Sequence, residues 1–148
     1  GPVTVPQELH RAMKAAPLVI VESRFEERVD RILAEYIHED LADWIAADPE
    51  HGFERFGRAL LDGLARIARR LGGDRHRTAE GLLHAALERH RREGDTHAHR
   101  EWIALLLHGY YDPMYEYQLG KATDRVIFRG DFEAVRAWCC EARRASKA

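Results

Sequence analysis

Sulfur, long apolar runs and nucleotide-binding glycines are what this chain has least of. Its two cysteines among 148 residues, Cys139 and Cys140, are adjacent. That spacing rarely suits a structural disulfide and cannot by itself hold a metal, so both are read as reduced. No apolar stretch approaches the roughly 18 to 20 residues that a membrane span needs, and no basic-plus-apolar leader resembles a signal peptide. A cytoplasmic location without a membrane partner is expected. Missing too are the Gly-x-x-x-x-Gly-Lys-Ser/Thr phosphate loop, the dinucleotide-binding glycine fingerprint and the Gly-x-Ser-x-Gly elbow. The chain alone shows no complete active site, and its catalytic residues stay unassigned. Net charge is only −2, which excludes polyanion binding by bulk charge and leaves local patches to decide.

What is present suits one domain with a proper core: 45% hydrophobic and 32% charged residues over 148 positions. Pro6 to Ala15 reads as a short helix, with Leu9 and Met13 one turn apart, ended by Pro17. Leu18-Val-Ile-Val21 is a continuous apolar run of strand length, of the kind buried on both faces in a parallel sheet. From Arg24 to Ala47 the period changes to 3.6, with Phe25, Val29, Ile32, Leu33, Tyr36, Ile37, Leu41, Trp44 and Ile45 as one stripe, until Asp48-Pro49 breaks it. Further helices are expected over Gly52–Leu71, stopped by Gly72-Gly73, over Thr78–Arg92, and from Asp95 or Thr96 through Trp102 and Leu106. A second strand runs from Arg125 or Val126 to Phe128, and a last helix starts at Asp131. The chain is mainly α, a bundle of about six to seven helices with two short strands. It shows no repeat and no linker, so it reads as a single unit over 1–148. Two short strands do not make a stable sheet alone. Either they pair beneath the helices, or they are the last strands of a larger sheet.

The densest stretch is Leu107 to Asp131. Four tyrosines, Tyr110, Tyr111, Tyr115 and Tyr117, fall within eight residues around Asp112-Pro113. Asp before Pro at the start of a new apolar pattern predicts an N-cap followed by a first-turn proline. Tyr111, Tyr115 and Gln118 then share a helix face. They are either core phenols needing hydrogen-bond partners or the amphipathic wall of a site, and the spacing leaves both readings open.

Tyr110-Tyr-Asp-Pro-Met-Tyr-x-Tyr-Gln-Leu, Lys121 and Arg125-Val-Ile-Phe-Arg-Gly closely resemble the C-terminal end of the bacterial tRNA 2-selenouridine synthases. Val5-Pro6, Leu9, Met13, Ala16-Pro17, Val21-Glu22, Phe25-Glu26-x-Arg28, Gly63-Leu64, Ile67, Arg69-Arg70-Leu71-Gly72 and Gly94 with His99-x-x-Trp102 extend the likeness over nearly the whole chain. The resemblance implies a P-loop kinase-like α/β sheet bearing the two strands, with a helical insertion, about 24–120, comparable to a lid. It implies conversion of wobble 2-thiouridine in tRNA to 2-selenouridine through an S-geranylated intermediate, with selenophosphate and geranyl diphosphate as substrates. The chain alone is expected to bind no cofactor. Its implied partners are tRNA and the rhodanese-like and Walker A portion of the same enzyme, in the same chain or a separate one.

Candidate residues follow. Arg24 and Arg28 come directly after the first strand, where open α/β sheets bind ligands and where arginine holds phosphate bidentately. Arg129, beside Gly130, follows the second strand in the same way. These, with Tyr111 and Tyr115, are the candidates for phosphate and substrate contact; solvated turns capped by Glu26, Glu27 and Asp131 are the competing reading. Arg66, Arg69, Arg70, Arg75 and Arg77, against the single acid Asp74, are the candidate tRNA contacts; arginines complementing a helix C-terminus are the alternative. Among nine histidines, His97 and His99 are the closest pair, but residues two apart on a helix diverge and no further ligand stands at a zinc spacing, so no metal is expected. Cys139 or Cys140 is expected to pack beside Trp138. The competing functional class is a non-catalytic helical adaptor that binds RNA or an acidic partner.

Overall fold

The computed structural model describes residues 5–145. Gly1-Pro2, which is either native or the remnant of a cleaved tag, lies outside them. The described residues form two compact units. One joins the residues up to Ser23 to those from Tyr117 onward; the other is Arg24–Glu116. The architecture is mainly α with two short parallel strands.

In the strand-bearing unit, α1 (Gln7–Ala15) follows Pro6 and leads to β1 (Leu18–Val21). β2 (Val126–Gly130) pairs parallel to β1, with Val19 opposite Phe128 and Val21 opposite Gly130. Arg125 donates from Nη1 to the carbonyls of Met13 and Ala16 at 3.1 and 2.9 Å, which ties the start of β2 to the end of α1. Asp131 caps α8 (Phe132–Ala145) by accepting from the Ala134 amide at 2.8 Å. Trp138 stacks on Phe128 with ring centroids 5.2 Å apart. Cys139 and Cys140 are both exposed on α8, contrary to the expectation that one of them packs beside Trp138. The indole takes the sheet-facing position and turns its two successors outward.

The helical unit holds the hydrophobic core. Helix α2 (Phe25–Ile32) passes through a π-helical stretch, Leu33–Glu39, into α3 (Asp40–Ala47), so 25–47 is one rod, as the periodicity predicts. The wider π turn keeps Leu33, Ile37 and Leu41, spaced four apart, on the inner side. It leaves Tyr36, Trp44 and Ile45, which the helical period places in the same stripe, largely exposed. Helix α4 (Gly52–Leu71) returns against α3. A Cβ on Gly52 would stand 2.5 Å from the Trp44 carbonyl oxygen, so only glycine fits where the chain reverses. Gly72, with a φ of 90°, makes a one-residue break, and α5 (Gly73–Glu93) begins directly after it rather than at Thr78 as expected. A 3₁₀ turn, Thr96–His99, then opens the longest rod, over 96–120: α6 (Arg100–Leu106), a π stretch Leu107–Tyr111, and α7 (Asp112–Gly120). Phe56, Leu83 and Ile103 meet Val29, Leu33 and Ile37 in the core. Arg100 pins α6 to α2 through Glu26 and Asp30.

Among the described residues one polar side chain is fully buried. His99 accepts from the Trp102 indole N–H at Nδ1, 3.0 Å away, and its Nε2 lies 3.2 Å from His90 Nδ1. Because indole only donates, His99 Nδ1 must be bare, which puts the proton of the neutral ring on Nε2, facing His90. Burial, and then His90, push the His99 pKa down to about 4. The folded state therefore holds His99 neutral while the unfolded chain protonates it near 6.5. That contribution to stability is complete above pH 6.5 and is lost as pH falls toward 4. Urea unfolding is expected to lose about 2 kcal/mol between pH 7 and 5 from this group. His99→Gln should flatten that slope while lowering stability at pH 7; an unchanged slope would contradict the assignment.

Candidate functional site

The two π-helical stretches face one groove. Its walls are Ile32, Glu35 and Tyr36 from the first rod and Trp102, Ile103, Leu106, Leu107, Tyr111 and Tyr115 from the last, around a cavity of about 320 Å³. An adjoining cavity shares Tyr36, Trp102, Leu106 and Tyr111 and extends along Trp44, Phe56, Leu60, Leu64 and Ile67. The surface is apolar with phenols at its mouth, and π stretches are frequent at functional sites. Tyr111 is half-buried, and its pKa is raised by burial and then by Tyr110, Tyr36 and Tyr115. Neither Tyr111 nor Tyr115 donates its hydroxyl to a described residue, so these are not phenols satisfied inside a core. Tyr36 and Trp44, which the 3.6 period alone assigns to the core stripe, line these cavities. Tyr117 instead lies beneath the Lys121 ammonium, 4.1 Å from its ring centroid.

Asp112 is not an N-cap. Its φ and ψ are −61° and −50°, and its amide donates to the Leu107 carbonyl, so the rod runs straight through it. Its carboxylate is taken instead by Arg28, whose Nη1 and Nη2 donate at 2.5 and 2.8 Å. The guanidinium holds the Asp112 carboxyl below its ordinary pKa. Pro113 has no N–H for the carbonyl four residues back, Gly109, and Arg75 donates to that carbonyl at 3.4 Å. Two candidate ligand arginines, Arg28 and Arg75, thus serve the helix that carries Tyr111 and Tyr115.

The remaining candidates fall into two groups. Arg24 closes a capping box with Glu27, donating at 2.8 Å, and Arg129 lies 3.3 Å from Glu22; both are exposed. Arg77 is paired with Asp74. Arg66, Arg69 and Arg70 are exposed on the last turns of α4 and form no ion pair among the described residues. Arg58 shares that helix and that freedom. Of His97 and His99, the first is exposed and the second buried, so they do not converge. No group of three or more His, Cys, Asp or Glu among the described residues is arranged to hold a metal.

A model of the tRNA 2-selenouridine synthase AAA domain matches residues 1–146. The chain belongs to that family. Curated tRNA 2-selenouridine synthases share this stretch: the Hahella chejuensis protein is 48% identical over 137 residues, covering 92% of this chain and 36% of the relative. The proteins of Bordetella petrii and Shewanella loihica are 45% and 43% identical over 136 and 142 residues, covering 91% and 95% of this chain and 36% and 38% of theirs. The chain thus spans little more than a third of these relatives. No solved structure matches it. The Tyr-Tyr-Asp-Pro-Met-Tyr segment of this family member is, in the structure, the π-to-α passage just described.

The Arg28–Asp112 pair yields a direct check. Asp112→Ala should destabilise the helical unit by roughly 1 to 3 kcal/mol, since a charged hydrogen-bonded pair is only partly exposed to water. In a double-mutant cycle with Arg28→Gln the two losses should overlap by about 1 kcal/mol. Additive losses would show that the Arg28–Asp112 contact contributes nothing to stability.

Proposed function

We propose that this chain is the tRNA- and substrate-contacting part of an enzyme that converts wobble 2-thiouridine to 2-selenouridine through S-geranyl-2-thiouridine, a transferase. Its reactive cysteine and Walker A loop are supplied by sequence outside the chain. The observation that carries the reading is the apolar groove walled by Tyr36, Trp102, Tyr111 and Tyr115. A geranyl chain is flexible, uncharged and unsaturated, and aromatic walls accept it without leaving a polar group unpaired. The tRNA would lie against Arg66, Arg69 and Arg70, which form no ion pair among the described residues; Arg75 and Arg77 add to that patch while holding their local partners. Arg24, Arg28 and Arg129 would meet phosphate only by exchanging the carboxylates they now bind. Selenophosphate and geranyl diphosphate are the proposed co-substrates. A helical adaptor without chemistry would use the arginines but has no role for the groove.

Charge reversal tests the RNA face. Arg69→Glu with Arg70→Glu should weaken tRNA binding. It should also flatten the log–log salt dependence by up to nearly one unit for each phosphate that is no longer neutralised. Unchanged affinity and slope would leave the patch without a role in RNA binding. The groove is tested in the full-length enzyme: because no described partner accepts their hydroxyls, Tyr111→Phe and Tyr115→Phe should leave the melting temperature nearly unchanged. If the phenols act on substrate, at least one should slow tRNA modification about tenfold, the loss of about 1.4 kcal/mol. Full activity in both variants would reduce the groove to packing.

A further inference from the structure

We propose that the cavity adjoining the groove is a distal subsite for the far end of the prenyl chain, and that Gly63 keeps it open and so sets the chain length accepted. The proposal rests on the reading above that the groove takes a prenyl group, and says how far that group extends. The first cavity, about 320 Å³, and the second, about 360 Å³, share four residues. Trp102 and Leu106 are buried and form a common floor, while Tyr36 and Tyr111 reach it from opposite rods. The two phenols are close enough for Tyr36 to contribute to the raised pKa of Tyr111. Beyond them the second cavity is walled by Trp44, Phe56, Leu60, Leu64 and Ile67, with Asp40 its one charged residue. Such a wall suits an uncharged chain that has passed between the two tyrosines, and leaves a polar ligand without partners.

Gly63 is the second observation. It lies in the interior of α4, where glycine is less stable than every residue except proline. Its backbone does not ask for glycine, since the positive-φ glycines among the described residues are Gly72 and Gly94. Nor does packing, because a Cβ built on Gly63 would meet no atom within 4 Å. Gly57, on the same helix, differs: a Cβ there would stand 3.3 Å from the Leu87 side chain of α5. What a side chain at position 63 would fill is the second cavity, which Gly63 lines. The helix thus gives up stability to keep that space clear, which a binding site requires and a close-packed core does not.

The test uses the full-length enzyme carrying this chain and two probes, geranyl diphosphate and dimethylallyl diphosphate, which is one isoprene unit shorter. The unsubstituted enzyme should bind the geranyl compound more tightly. Gly63→Leu should cut that preference at least tenfold, because the outer isoprene unit loses its apolar contacts while the shorter chain ends in the first cavity. Gly63→Ala should raise the melting temperature, and a fall would overturn the proposal by showing that the fold needs the glycine. Equal affinity for the two probes in the unsubstituted enzyme would overturn it, as would a preference that Gly63→Leu leaves unchanged. If Gly63→Leu does not fold, Gly63→Ala decides: a smaller loss of preference supports the subsite and an undiminished one contradicts it. Geranyl diphosphate bound without regard to Gly63 sinks this proposal and leaves the functional reading standing. Selective binding through Gly63 in an enzyme that transfers no prenyl group to tRNA does the reverse, and failure to bind either probe sinks both.

Discussion

Pro113 sits inside a helix, and much of the helical unit follows from how that is accommodated. A mid-helix proline withholds one N–H and crowds the preceding turn. Here the turn before it widens into the π stretch Leu107–Tyr111, and the Gly109 carbonyl takes Arg75 as donor. Asp112, left inside the rod with no cap to make, receives Arg28 from α2. The widened turn presents Tyr111, and α7 presents Tyr115 one turn on, to the groove shared with Tyr36. The opposing rod has its own π stretch there, so both walls depart from the α-helical period at the same place. Such π-helical irregularities are frequent at functional sites.

The two units differ in how far they satisfy themselves. The helical unit closes a core from Val29 to Leu107 and neutralises its buried polar chain, His90–His99–Trp102, by hydrogen bonds within it. The strand-bearing unit does neither; its strands expose apolar side chains and its only buried hydrophobic residue among those described is an alanine. The unit that closes its own core is also the one that carries the groove and the exposed arginines of α4.

Most elements are legible in the sequence because their signals are local. The apolar run Leu18–Val21, the stop at Asp48-Pro49 and the cap at Asp131 each need only neighbouring residues to work. Asp112-Pro113 misleads for the same reason: as a dipeptide it spells a helix start, and only Arg28, 84 residues away, shows what the carboxylate does. Tyr36 and Trp44 fall in the core stripe by period because a 3.6 repeat cannot anticipate a π turn. His99 pairs with His97 only by proximity in sequence; its partners in the fold are His90 and Trp102. Composition finds the arginines of α4, but only the structure shows Arg66, Arg69 and Arg70 uncommitted while Arg77 is held.

What occupies the groove between the π stretches decides whether this chain takes part in prenyl chemistry. A photoreactive geranyl diphosphate, cross-linked in the full-length enzyme carrying this chain and mapped by mass spectrometry, reads that directly. Labels are expected on the peptides bearing Tyr36 and Trp44 or Trp102 to Tyr115, and should be competed away by unlabelled geranyl diphosphate. Labelling confined to sequence outside Arg24–Glu116 would contradict a prenyl-binding groove.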